Sequence, residues 1–229
     1  MSKLHDLFEA GQSVWYDFIR RDMLEDGELE ALVAKGIRGL TSNPTIFQKA
    51  IAGSTQYDDQ IRSAVGADLD IEAARLFEEL AVRDIRGAAD ALTEVYSSSG
   101  GRDGFVSLEV SPHLAHDTAG TIADAHRLWD KVDRPNLMIK VPATLAGIPA
   151  VEELIAANIN VNATLRFSLE DYENVAQAYL RGLARAQDPT RVASVASFFV
   201  RRVDTKTDAA LEKVGTPDAM ARRGRTAVA

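Results

Sequence analysis

The sequence predicts an α/β protein with a mostly parallel sheet, on three observations. Short β-rich runs alternate with longer helical runs along its 229 residues. The stretch LMIKVPAT, residues 137–144, is an apolar, β-branched run of the kind buried on both faces in a parallel sheet. Polar residues recur at the ends of successive strand candidates, and in a parallel barrel those ends converge on one face.

The elements follow in order. SVWYDFI, residues 13–19, is the first strand, with Asp17 near its end. DGELEALVAK is a helix that starts at Asp26 or Gly27 and stops at Gly36. IRGLTSNPTIF holds a second strand ending at Thr41 or Ser42, after which Asn43-Pro44 turns the chain into a helix. Residues 55–98 carry apolar stripes at helical spacing, among them Leu80, Ile85, Ala88 and Leu92, and read as covering helices without chemistry of their own. FVSLEV, residues 105–110, is the third strand with Glu109 at its end, and a helix runs from Asp117 to Lys131. The fourth strand is LMIKVPAT, followed by a helix over residues 147–157.

INVNATL is the fifth strand, and its period of two puts Asn160, Asn162 and Thr164 on one face, suited to a barrel interior or cleft. Ser168 caps a long helix reaching about Ala186, with Asp171 three residues on. RVASVASFFV, residues 191–200, is the sixth strand and leads to Arg201-Arg202. A helix opening at residues 206–208 ends at Gly215, and Thr216-Pro217 caps a last helix whose pattern runs on to Ala229. There is no repeated period and no linker-like segment, so residues 1–229 are expected to form one barrel domain.

Composition narrows the function. With 46% hydrophobic and 26% charged residues the chain is globular, and the acids in its first 18 residues do not fit a signal peptide. A cytoplasmic protein is expected, and the lack of cysteine excludes disulfides, thiolate metal sites and cysteine nucleophiles. A net charge of −8 disfavours nucleic acid as a partner, and no apolar run suits a membrane span. The histidines His5, His113, His116 and His126 share no metal-ligand spacing with nearby acids, and no glycine-rich phosphate loop is present.

Lys140 is the unusual residue of the fourth strand. A buried ammonium is costly, so such a lysine either pairs with a carboxylate or becomes a neutral, nucleophilic amine. The residues leave both readings open: a structural ion-pair lysine, or a Schiff-base lysine. What favours chemistry is company, because Asp17, Asn43, Glu109, Asn162 with Thr164, and Ser197 with Arg202 all fall at strand ends.

At these positions the sequence resembles the transaldolases. The motifs are VWYDFIRRDML, GLTSNPTIF at 39–47, SLEVSP at 107–112, LMIKVPAT at 137–144, INVNATLRFS at 159–168 and SFFVRRVDTKTDAALEKVGT at 197–216. The likeness is closest to the longer bacterial form. It implies a class I aldolase (β/α)8 TIM barrel, of which about six strands are present, and transfer of a dihydroxyacetone unit between sugar phosphates in the pentose phosphate pathway. Neither a metal nor another cofactor is implied. By matching motif positions, Lys140 resembles the Schiff-base lysine and Asp17 the acid/base at the C4 hydroxyl. Glu109, with a water and Thr164, resembles the group that moves protons during imine formation. Asn43 and Asn162 match the amides that hold the dihydroxyacetone hydroxyls, with Ser197 nearby. Phe199 is similar to the pocket aromatic and Arg202 to the first phosphate arginine.

The resemblance also defines departures. Arg201 stands where the family usually has a small residue. Family members continue through two further strands, one of which brings a serine and a second phosphate arginine. A barrel closes with eight strands, so the expectations are a shortened form of an active enzyme, a homodimer or complementing chain that supplies the rest, or a non-catalytic remnant that uses its open edges for interaction. A related class I sugar-phosphate aldolase is the nearest enzymatic rival.

Overall fold

A computed structural model describes residues 2–225. Its six strands are β1 (Trp15–Tyr16), β2 (Gly39–Thr41), β3 (Val106–Glu109), β4 (Leu137–Pro142), β5 (Val161–Arg166) and β6 (Ser194–Phe198). They form one sheet in the order of the sequence, and every pair is parallel. Doubly wound sheets reverse their strand order at a switch point. Here the order never reverses, so the sheet is part of a (β/α)8 barrel with all strand ends on one rim.

The helices are α1 (Lys3–Glu9), α2 (Arg21–Glu25), α3 (Glu28–Lys35), α4 (Pro44–Ala52), α5 (Asp58–Ala67), α6 (Ala73–Ala91), α7 (Thr93–Ser98), α8 (Thr118–Val132), α9 (Gly147–Ala156), α10 (Leu169–Leu183), α11 (Val200–Val214) and α12 (Pro217–Ala221). Caps explain several boundaries. Asn43, Asp117, Ser168 and Thr216 each accept a backbone N–H of the first turn of their helix. Gly215, at φ +68°, ends α11 in the left-handed conformation that glycine tolerates best.

The middle of the sheet is the driest part. All six residues of β4 are buried; Ile139 and Val141, with Val161 and Ala163 of β5, belong to the main core beneath the helices. Alternation then turns Lys140, Asn162 and Thr164 toward the barrel interior. The two rims of the sheet differ: β1 is half-buried, β6 has no buried residue, and α11 buries none. Among the described residues β1 pairs only with β2, and β6 only with β5.

Several elements differ from the sequence reading. The first strand is two residues long rather than seven, because its neighbour β2 offers only Gly39 and Leu40 as partners. The amino-terminal helix α1 was not expected; its Leu4 sits against Gly36, where an added Cβ would lie 2.8 Å from the Leu4 Cβ. A further helix, α2, precedes the break at Asp26-Gly27. The helix expected from residue 206 begins at Val200 instead, and its N-cap, Phe199, provides no side-chain cap that the sequence could have signalled. Finally, α12 closes at Ala221, followed by Gly224 at φ +67°; the expected continuation through residues 226–229 lies outside the described residues.

The helical stretch 55–98 also holds chemistry that its apolar stripes concealed. Arg21 Nε donates to Asp84 Oδ1 at 2.8 Å, the Tyr57 hydroxyl donates to Asp84 Oδ2 at 2.8 Å, and Arg21 Nη2 reaches the Leu80 carbonyl at 3.3 Å. All three side chains are at most 2% exposed. Burial pushes Asp84 upward in pKa while the Arg21 guanidinium and the Tyr57 hydroxyl pull it back; burial and the neighbouring Asp84 hold the Tyr57 hydroxyl protonated far above its usual range. The network fastens α2 to α5 and α6, and with it the short loop of residues 17–20.

Candidate functional site

Lys140 stands at the fourth position of β4, 7% exposed. Its Nζ donates to the Ser42 carbonyl at 3.1 Å and lies 3.5 Å from Glu109 Oε2. Register brings these groups together: Glu109 is directly opposite Lys140 on β3, and Asn162 directly opposite it on β5. The structural and chemical readings of this lysine therefore meet in one geometry, an amine held in a dry strand beside a carboxyl.

Glu109 is raised in pKa chiefly by burial, against the pull of Lys140 and, more weakly, of Arg202. A carboxyl so placed can carry a proton closer to neutral pH than a solvated one. Asn162, 1% exposed, donates from Nδ2 to Ser107 Oγ at 3.0 Å and accepts on Oδ1 from Ser197 Oγ at 2.8 Å. Thr164 is also 1% exposed, and its hydroxyl has no hydrogen-bond partner. Lys140, Glu109, Asn162, Thr164 and Ser197 thus share one end of the barrel interior.

The other expected residues lie around this group. Asp17 is exposed, one residue beyond β1. Asn43 Oδ1 accepts from Ile46 N at 3.0 Å and so caps α4. Phe199 stacks on Phe167 with centroids 5.5 Å apart, and the Arg202 guanidinium lies 4.1 Å from the Phe199 ring centroid. Arg202 is on the first turn of α11 rather than at a strand end, next to the exposed Arg201.

Asn160, expected on the same strand face, does not join the site. It precedes β5, donates to the carbonyls of Pro135 and Leu137, and accepts from Ala193 N at 2.8 Å. Its role is to join the beginnings of β4 and β6, at the opposite end of the strands. A cavity of about 800 Å³ opens there, lined in part by Tyr96, Trp129, Asn160 and Arg191, away from Lys140. A smaller one, about 470 Å³ and bordered by Phe77, Leu108 and Leu128, reaches Glu109 from the helix side.

Three residues went unnoticed in the sequence. Ser42 and Ser107 are fully buried in the site; the signal for Ser107 was its place two residues before Glu109, hence on the same strand face. The third is Arg166, at 0% exposure. The register slips between Ala163 and Arg166, with Leu165 at φ +61°, so β5 takes three steps where β6 takes two and Arg166 moves to the helix side. Its three guanidinium nitrogens have no hydrogen-bond partner; its charge faces the Tyr172 ring, 5.2 Å to the centroid, and feels the more distant Asp171 carboxylate. Burial lowers its pKa. Arg166→Met should therefore stabilise the chain by about 1–4 kcal/mol, the range for replacing buried ionic groups with apolar ones; an unchanged or lower urea midpoint would contradict this.

Comparison with known proteins gives the family. The family model described as Transaldolase/Fructose-6-phosphate aldolase matches residues 14–228. The transaldolase of Frankia alni is 50% identical over 232 residues, 99% of this chain and 62% of that protein. The transaldolase of Thermobifida fusca is 50% identical over 234 residues, 100% of this chain and 63% of that protein. For the transaldolase of Thiobacillus denitrificans the figures are 46% over 234 residues, 100% and 65%. The chain spans less than two thirds of the length of these relatives. With six parallel strands in sequential order and a family match that runs from β1 past α12, the chain belongs to the Transaldolase/Fructose-6-phosphate aldolase family.

Proposed function

We propose that this chain carries the Schiff-base centre of a cytoplasmic transaldolase, which moves a dihydroxyacetone unit from sedoheptulose 7-phosphate or fructose 6-phosphate to glyceraldehyde 3-phosphate or erythrose 4-phosphate. The observation that supports it most is the buried Lys140 amine, 3.1 Å from the Ser42 carbonyl and 3.5 Å from Glu109.

In this reading the Lys140 amine attacks the ketose carbonyl at C2, and the carbinolamine loses water to give a protonated imine. Glu109, through a water and with the Thr164 hydroxyl, moves the protons of those two steps. Asp17 removes the C4 hydroxyl proton as the C3–C4 bond breaks; the aldose leaves, and the bond's electron pair is stored as an enamine on Lys140. The acceptor aldehyde then takes up that pair, the steps reverse, and water frees the product. Asn43 and Asn162 hold the dihydroxyacetone hydroxyls with Ser197 nearby, Phe199 forms a wall, and the forked guanidinium of Arg202 receives phosphate. A closed barrel pairs β1 and β6 with further strands, whichever polypeptide supplies them.

The test is reduction with borohydride in the presence of fructose 6-phosphate, followed by peptide mass analysis. A dihydroxyacetone-sized adduct on Lys140 is expected; its absence, or modification of another lysine, would refute the reading. Asp17→Ala should lower turnover by ~10²- to 10⁴-fold while adduct formation from free dihydroxyacetone continues. Equal loss of both would remove Asp17 from the bond-breaking step.

A further inference from the structure

We infer that Ser107 is a positioning residue of the Schiff-base centre, orienting the Asn162 amide and bracing the backbone carbonyl that holds the Lys140 amine; this rests on the function proposed above. Ser107 is fully buried and lies on the inward face of β3, two residues before Glu109. It acts through two different atoms.

Its hydroxyl oxygen accepts from Asn162 Nδ2 at 3.0 Å, while Asn162 Oδ1 accepts from Ser197 Oγ at 2.8 Å. An amide gripped at both ends by buried hydroxyls, each able to donate or accept, is held in one position and one plane. The second Nδ2 hydrogen is then the one left for a ligand hydroxyl. Without the Ser107 oxygen, Asn162 is held at one end only, by Ser197, and its amide is free to swing out of that position. The other atom is the Ser107 carbonyl, which accepts from Ser42 Oγ at 2.7 Å; the Ser42 carbonyl in turn accepts from Lys140 Nζ at 3.1 Å. One residue of β3 thereby links β2, β4 and β5 at the amine.

The deciding experiment is a double-mutant cycle on borohydride trapping at Lys140, with Ser107→Ala, Asn162→Ala and the pair. Ser107→Ala keeps the backbone carbonyl and removes one buried oxygen, so the fold is retained. It should slow trapping about 10- to 100-fold, the rate equivalent of one lost buried hydrogen bond. If Ser107 acts through Asn162, it should cost clearly less in the Asn162→Ala background. Equal costs in both backgrounds, or an unchanged trapping rate, would overturn the assignment. A second readout separates this from the functional reading: in ¹⁵N-labelled chain the Asn162 side-chain amide protons should exchange slowly, and at least ~10-fold faster in Ser107→Ala. If Lys140 is never trapped in the unsubstituted chain, the functional reading falls and the exchange measurement alone judges the clamp. Unchanged exchange would overturn it.

Discussion

Lys140→Met is expected to leave no adduct after borohydride treatment and to reduce any transfer activity by about 10⁴-fold or more, the scale of removing a covalent nucleophile. Methionine is the informative replacement because it fills the 7%-exposed site in β4 with an unbranched apolar chain. What it cannot replace is the cation beside Glu109, 3.5 Å away. Burial already holds the Glu109 carboxyl above its ordinary value, and Lys140 is the main influence opposing that shift. Removing the lysine should raise it further.

A consequence for stability follows from the sign of that shift. A carboxyl whose folded pKa lies above its unfolded value of about 4.3 retains its proton in the folded state over an interval where the unfolded chain has released it. Stability from this group is therefore greatest below that interval and declines as pH rises through it. Lys140→Met should show a steeper decline between pH 4 and neutrality than the unsubstituted chain, reaching to higher pH. Denaturant midpoints measured across that range would show it; parallel curves for the two proteins would mean that Lys140 and Glu109 do not interact in the folded state.

Asp84→Ala should be the most damaging change outside the site, costing about 3–5 kcal/mol, because it strands the Arg21 guanidinium in the interior. Arg21 is 2% exposed, and among the described residues its ion pair is with Asp84 at 2.8 Å. The substitution also removes the acceptor of the Tyr57 hydroxyl. Against a total stability of about 5–15 kcal/mol for a globular domain, this is enough to unfold much of the population at elevated temperature. Replacing both charges, Arg21→Met with Asp84→Leu, should recover most of the loss, since an apolar pair needs no compensation. If Asp84→Ala shifts the urea midpoint no more than an average surface substitution, the network is not buried as described.

The same network shows how far a linear pattern can be read. Asp84 lies within the helical stretch whose spacing announces a covering face, and Ile85, Ala88 and Leu92 do cover the core. Its partner Arg21 is 63 residues away, and nothing local to either residue marks them as a pair. Periodicity reports which face of an element is apolar; it does not report which distant charge will be enclosed with it. The sixth strand and its helix illustrate another limit. Phe199 begins α11 without a side-chain cap, so the reading of a later start had no local signal against it.

Within the site the division is clearest on β5. Alternation correctly placed Asn162 and Thr164 on the barrel interior, because both lie inside the regular part of the strand. It gave a face and not a depth for Asn160, which precedes the paired residues and is consumed by backbone partners at the other end, and it could not foresee the slip that carries Arg166 to the helix side.

By itself the sequence determined the alternation of strands and helices, the buried strand bearing Lys140 and the motifs that mark the family, since these depend on composition and short-range order. Only the tertiary structure decided that Glu109 and Asn162 stand directly across from Lys140, that the Ser42 carbonyl receives its amine and that Ser107 links the surrounding strands. Those are matters of register between chain segments 22 to 98 residues apart, and register is settled by the packing of the whole sheet. The doubt over Lys140 as ion-pair partner or nucleophile narrows accordingly to the chemistry of a single amine held beside a raised carboxyl.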